Sequence, residues 1–527
     1  MKNKRKSTIC GQTWKNVFWE TNSNCGLGEE NELSTGVAGR EASSADLSGI
    51  RRGPIVAALI IGAFVSILNE TLLNIAFPEL MKEFGVTAVT IQWLSTSYML
   101  VIGILVPVTA LLQQWFTTRQ MFLSAMSIFL TGSVICAAAP WFGMLLIGRI
   151  VQALGTGLML PVLMTTILVI FPPEKRGGAM GLIGLVIMSA PAVGPTLSGV
   201  IVDSLSWRWL FYLVIPLAAF SIVFAGIYLR NVSVLTKPKV DVLSILLSTI
   251  GFGGIVYGFS KAGEGSWSEP EAYWTIAAGG VSLLLFIWRQ LAVKEPLLEL
   301  LTFKYPLFSL AMALILILMM MIFAVMIILP LYLQTVLLLT AFHAGLAMMP
   351  GGIVNGIMAP VSGHLFDKFG PRALVIPGLA LAALAAGLFI GVDSSTGTGY
   401  VILLHVVLLA GFSMVMMPVQ TTGLNQLPRH LYPHGTAIIS TLQQVAGAIG
   451  TALFISILAS GSKAYLEASD DPASRGEAVN GFVAGMQDAF ITGFVLALLA
   501  LAIGFFVKRK KTEQRSTTNP DNNIEIT

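Results

Sequence analysis

An all-α, polytopic membrane fold with fourteen transmembrane helices is what this sequence predicts, and three features carry that reading. Of 527 residues, 55% are hydrophobic and only 11% charged, against roughly a quarter charged in an ordinary soluble domain. Apolar runs reaching the ~20 residues that cross a bilayer core as a helix recur along nearly the whole chain. Lys and Arg, finally, are spread very unevenly over the segments between those runs.

The runs predict helices and not barrel strands, because stretches such as 311–331 are apolar on every face while barrel strands are short and alternating. Residues 1–53 are polar, rich in Ser, Gly, Asn and Glu, and read as a disordered cytosolic tail without a signal peptide. Fourteen spans follow, at about 54–77, 91–113, 121–139, 142–166, 178–202, 209–229, 242–260, 272–291, 306–333, 344–366, 373–391, 400–424, 435–459 and 486–507. A second basic cytosolic tail, 508–527, closes the chain. With both tails on the inner side, 25 Lys and Arg fall there and only five, Lys82, Arg208, Lys261, Lys463 and Arg475, fall outside. That bias is the positive-inside pattern and fixes an even number of spans in a bacterial cytoplasmic membrane.

Composition excludes other classes. Cys10, Cys25 and Cys136 have no metal-ligand spacing, and the five histidines are scattered, His430 and His434 being separated by Pro433. No phosphate-binding loop, nucleophile constellation or appended soluble domain is visible, so neither an enzyme nor a cofactor is expected. The net charge of +4 follows from topology and argues for no nucleic-acid partner.

An internal repeat organises the spans. Ala359-Pro-Val-Ser-Gly-His-Leu-Phe-Asp-Lys-Phe-Gly-Pro-Arg372 follows the tenth span as Val106-Pro-Val-Thr-Ala-Leu-Leu-Gln-Gln-Trp-Phe-Thr-Thr-Arg119 follows the second, at an offset of 253 residues. Equating the two gives six-helix halves at 54–230 and 306–507, with two inserted helices and their loops at 231–305. Repeats of this kind place the substrate path between the halves near mid-membrane.

By these residues the chain resembles the fourteen-helix drug:proton antiporters of the major facilitator superfamily, particularly the lincomycin-resistance-type branch, over about 54–507. Gly363, Asp367, Lys368, Gly370 and Arg372 match the superfamily's loop signature. Asp367 can face the positive N-terminus of a helix while Arg372 ties the loop to its neighbour, latching the cytosolic side. In the first copy the acid position is Gln114 and the glycine position Thr117, so the halves are expected to gate unequally. Ile147-Gly-Arg-Ile-Val-Gln-Ala-Leu-Gly-Thr-Gly157 is similar to the family's fourth-helix motif, and Ala190-Pro-Ala-Val-Gly-Pro-Thr-Leu-Ser-Gly199 to its antiporter motif, through Pro191, Gly194, Pro195 and Gly199. Leu68-Asn-Glu-Thr-Leu-Leu-Asn-Ile-Ala-Phe-Pro78 resembles the first-helix motif, with Asn69 at the usual acid position and Glu70 beside it. Trp207-Arg-Trp209 reads as an outer aromatic and basic anchor.

The resemblance implies a proton-coupled exporter of small lipophilic compounds. Glu70 is the intramembrane carboxylate able to exchange a proton, and Arg149 is the one base deep inside a span, where an unpaired guanidinium is costly. Both lie about seven residues, roughly 10 Å, from the outer ends of their spans. Asn69, Asn74, Gln152, Gln334, Met348, Asn355, Gln420, Gln443 and Gln444 are the candidate cavity lining, methionine suiting irregular ligands. The same fold can also carry a single physiological metabolite, and a non-transporting sensor or enzyme is the remote third reading.

Overall fold

The computed structural model describes residues 52–507, apart from 233–234, 265–269, 470 and 472–473 and a few side chains, among them those of Asn74, Pro191 and Pro195. But for Arg52 and Gly53, both tails lie outside the described residues. Fourteen long helices fill the rest: α1 Arg52–Leu72, α2 Ala88–Trp115, α3 Thr118–Ala137, α4 Phe142–Ile170, α5 Arg176–Ser204, α6 Arg208–Tyr228 and α7 Val242–Glu264. They continue as α8 Pro270–Ala292, α9 Pro306–Thr335, α10 Ala341–Phe369, α11 Arg372–Phe389, α12 Thr398–Asn425, α13 Tyr432–Ala468 and α14 Arg475–Gly504. Thirteen of them have described stretches long and apolar enough to cross a bilayer, and α5, with 29 residues, is the fourteenth.

Helix ends differ from the apolar runs where polar residues carry a helix on into water. α13 has 37 residues against the predicted 435–459, and its extension holds the exposed pair Lys463 and Glu467, 3.7 Å apart one turn along the helix. α14 starts at Arg475, where Ser474 caps it by accepting from the Glu477 N–H. The first predicted span is broken instead. α1 ends at Leu72, a 3-10 turn covers Leu73–Ala76, and a short helix Phe77–Phe84 begins with Pro78 in its first turn.

Within the first half α1 packs on α5 and α6, α3 on α4 and α6, and α2 on α4; within the second, α9 packs on α12, α13 and α14, α10 on α12, and α11 on α12 and α14. The halves meet mainly through α5 against α10 and α2 against α13. The inserted α7 and α8 form a hairpin, and α7 lies against both α2 and α13. Asp241, one residue before α7, holds the base of this hairpin by accepting from Arg289 Nε at 2.8 Å and Nη2 at 2.9 Å. Those charge-assisted bonds, with Ser244 adding its own, hold the Asp241 carboxyl at about 2, below its ordinary 3.8. A depressed carboxyl pKa stabilises the fold above the unfolded value and loses that contribution as pH falls through the folded one. Acidification from pH ~4 to ~2 is therefore expected to lower the melting temperature of purified wild type more than that of Asp241→Asn; parallel curves would show that the pair adds nothing.

At the end of the bundle away from Arg52, Glu83 of the short helix accepts from Trp207 Nε1 at 2.6 Å and Arg208 Nη1 at 2.7 Å. Partial burial works to raise the Glu83 pKa, and these two bonds override it, so the carboxyl is lowered overall. Trp207 is fully buried, edge-on to Phe84 and Phe211. Of the two tryptophans read as an outer anchor, only Trp209 is exposed. Trp207 turns inward because its N–H has a carboxylate to serve.

Candidate functional site

Near the end of α1, Asn69 is buried and Glu70 half-buried, and the charge that acts on Glu70 is Arg149 of α4. Arg149 has no solvent exposure. Its guanidinium lies over the Tyr98 ring at 4.1 Å and donates to Gln152 Oε1 at 3.1 Å, so α2 and α4 together stabilise a desolvated cation. Gln152 Nε2 donates in turn to Ser133 Oγ at 2.8 Å, and the Tyr98 hydroxyl meets Thr156 Oγ1 at 2.7 Å. The Arg149 Nε and the Asn69 Nδ2 have no hydrogen-bond partner among the described residues. A buried polar group left open in this way costs free energy, and here both open donors belong to the cluster around the half-buried acid. Tyr98, Thr156 and Ser133 were not singled out from sequence; the polar run Ser95-Thr-Ser-Tyr98 inside an apolar span was the available signal.

The antiporter motif of α5 packs on this same end of α1. A side chain at Gly194 would strike Thr71 Oγ1, and Ser198 Oγ donates to the Leu72 carbonyl at 2.5 Å. Ser198 thus serves the carbonyl at the helix end, where the backbone turns into the 3-10 segment. Gly199 faces open space.

Other candidate residues are dispersed. Asn355 of α10 is buried, its Oδ1 without a hydrogen-bond partner among the described residues, and with Met188, Met319, Met416 and Ser413 it lines a small void between α5, α9, α10 and α12. Gln420 is fully buried, and neither of its amide atoms has a hydrogen-bond partner among the described residues. Met348, Gln443 and Gln444 are half-buried, whereas Gln334 is exposed near the end of α9 and does not join the cluster. The side chain of Asn74 lies outside the described residues.

The loop signature lies at the end of the helices where α14 finishes, at the seam between halves. Asp367 accepts from the Gly177 and Gly178 N–H groups, each at 2.8 Å, in the first turn of α5, pairing a carboxylate with orphan donors and the positive helix end. Gly363, one turn earlier, lets α10 approach so closely that any Cβ there would collide with the Gly177 carbonyl oxygen. Gly370 ends α10 at φ 82, a backbone conformation that favours glycine. Lys368 is exposed. Arg372 donates to the Val507 carbonyl at 2.9 Å and the Phe505 carbonyl at 2.7 Å just past α14, capping free acceptors with a cation.

Residues 59–451 match the model of the Major Facilitator Superfamily. The chain belongs to the major facilitator superfamily. Its similarity to lincomycin resistance protein LmrB places it in the lincomycin-resistance-type branch. The identity is 50% with the protein of Listeria monocytogenes, covering 88% of this chain and 98% of that one, and 52% with that of Bacillus subtilis, covering 87% and 96%. The fold is also similar to that of the human organic anion transporter MFSD10, with TM-score 0.61 at 15% identity over 86% of this chain and 99% of that one. This major facilitator is thus a multi-pass membrane transporter and not an enzyme.

Proposed function

We propose that the chain exports small lipophilic compounds, of the kind that the lincomycin-resistance relatives' names indicate, in exchange for protons across the bacterial cytoplasmic membrane with both termini cytosolic. The observation that carries this reading is the helix end that bears Glu70, clasped by Gly194 and Ser198 and subject to the charge of the buried Arg149. A proton arriving from outside neutralises Glu70 and removes its attraction for Arg149 and for bound substrate. The altered α1 end presses on α5, which also carries the Asp367 contact, so one helix links proton site and cytosolic seam. Release of the proton inward recharges the site for the next substrate. The methionine side chains around Asn355, flexible and polarizable, suit contact with lipophilic compounds of irregular shape.

Substrate uptake by everted proteoliposomes under an imposed pH gradient tests the reading, and its absence for lincosamides and other lipophilic antibiotics alike would refute it. Arg149→Ala is expected to lose transport at neutral pH, with Arg149→Lys retaining more, since lysine keeps the charge but not the planar group that covers Tyr98. The efflux–pH profile of each variant is expected to be displaced from that of wild type. Coincident profiles would mean that Arg149 and Glu70 do not communicate.

A further inference from the structure

The repeat that pairs Asp367 with Gln114 has a counterpart in space. Gln114, 253 residues before Asp367, also reaches across the seam to the first turn of a helix in the other half. Its carboxamide meets Nε2 of His434, in the first turn of α13, at 3.2 Å. What distinguishes this second seam is what else converges on it. From one side comes the segment joining α6 to α7. Thr236 Oγ1 meets the Gln114 side-chain amide at 3.0 Å, and the N–H groups of Thr236 and Lys237 donate to the Gln114 carbonyl at 3.2 and 3.3 Å. Trp115 Nε1 donates to the Pro238 carbonyl at 2.9 Å. Lys237 takes φ 48 to make this approach, a left-handed conformation that a side-chain-bearing residue adopts only when its surroundings impose it. From the other side comes the segment joining α8 to α9, whose Glu299 N–H donates to His434 Nδ1 at 3.2 Å. The two segments are tied to each other, because the Lys239 N–H donates to Glu295 at 2.8 Å and Asp241 holds Arg289.

We infer that the inserted pair α7–α8 is a working part of the inner gate: its two connecting segments clamp the neutral Gln114–His434 latch through a chain running Thr236, Gln114, His434, Glu299. One half supplies Gln114, the other His434, and the insert supplies both outer links, so separating α2 from α13 breaks the chain at its centre. The ring geometry suits this. With Nδ1 accepting from a backbone donor, the imidazole proton resides on Nε2, and the Gln114 carboxamide accepts it through its oxygen when the amide is turned over, its nitrogen then donating to Thr236 Oγ1. Thr236 and Glu299 act as positioning residues, holding the carboxamide and the ring toward one another. Where the Asp367 seam relies on charge against a helix end, this seam relies on neutral hydrogen bonds whose partners the insert orients. The inference rests on the transporter fold and not on proton coupling, and its test needs no gradient.

The test is thiol labelling of Thr165→Cys with N-ethylmaleimide in detergent, in the full-length chain with Cys10, Cys25 and Cys136 replaced by alanine. Thr165 of α4 meets Thr436 of α13 at 2.9 Å at the same end of the seam, so its labelling rate reports opening there. Thr236→Val, in an exposed segment outside both halves, is expected to raise the rate about two- to tenfold, the weight of one hydrogen bond on a two-state equilibrium. Thr236→Ser restores the hydroxyl and the wild-type rate. His434→Asn keeps an acceptor near the Nδ1 position, His434→Gln a group near the Nε2 position, and each breaks one link and raises the rate. Equal melting temperatures for Thr236→Val and Thr236→Ser exclude general loosening as the cause. If the His434 variants raise labelling while Thr236→Val does not, the insert is a bystander; if none does, the pair is no latch. Either result overturns the inference.

Discussion

Replacing Glu70 with glutamine is expected to reduce pH-gradient-driven export to background while leaving downhill exchange of labelled for unlabelled substrate in place. The amide keeps the shape and most of the packing at the end of α1, but it neither gains nor loses a proton near neutral pH. Substrate movement through the alternating cycle then persists without a link to the proton gradient. Two assays on the same proteoliposomes separate the cases: gradient-driven uptake and gradient-free counterflow. Full gradient-driven transport by the variant would remove Glu70 from the coupling step, and loss of both activities with a lowered melting temperature would assign it to the fold.

Gly363→Val carries the second large effect. At the α5–α10 crossing a Cβ meets the Gly177 carbonyl oxygen and comes within 3.0 Å of the Gly181 Cα, so there is backbone on the far side and nothing flexible to yield. Overpacking of this kind costs about 1–3 kcal/mol, which on a two-state gate is a shift of roughly 5- to 150-fold. The variant is expected to hold the Asp367 seam open, raise labelling of Thr165→Cys by that order and lose export, with membrane insertion unchanged. Gly280→Val, where the added Cβ meets only open space, is the control. Wild-type export by Gly363→Val would mean that the close crossing is dispensable.

Much of this was legible in the sequence because the bilayer is a simple solvent. Sustained hydropathy locates each crossing, and a lone arginine or glutamate inside one is too costly to be casual. Asp367 was legible because its partner is a helix end, a target available on backbone grounds alone. Helix termini were less so: α13 and α14 continue as helices beyond the apolar runs, where hydropathy has nothing left to say. The Gln114–His434 contact was hidden for another reason. Both side chains are neutral, they lie 320 residues apart, and glutamine at the position where the repeat has an acid looks like a loss. Tyr98 was equally hard to find, since the face of an aromatic ring serves a buried cation without any pattern that a single sequence displays.

The two seams impose different constraints on sequence change. Asp367 is read by main-chain N–H groups, so its partner at 178 is free in chemistry and restricted only in size, while 177 stays glycine because a Cβ there would strike the Gly363 carbonyl oxygen. Gln114 is read by a side chain, so a change at 114 makes the residue at 434 wrong, and the reverse. Across relatives of this transporter, positions 114 and 434 are therefore expected to vary as a pair, including acid–base and amide–amide combinations, whereas 367 stays acidic beside partners that never covary with it.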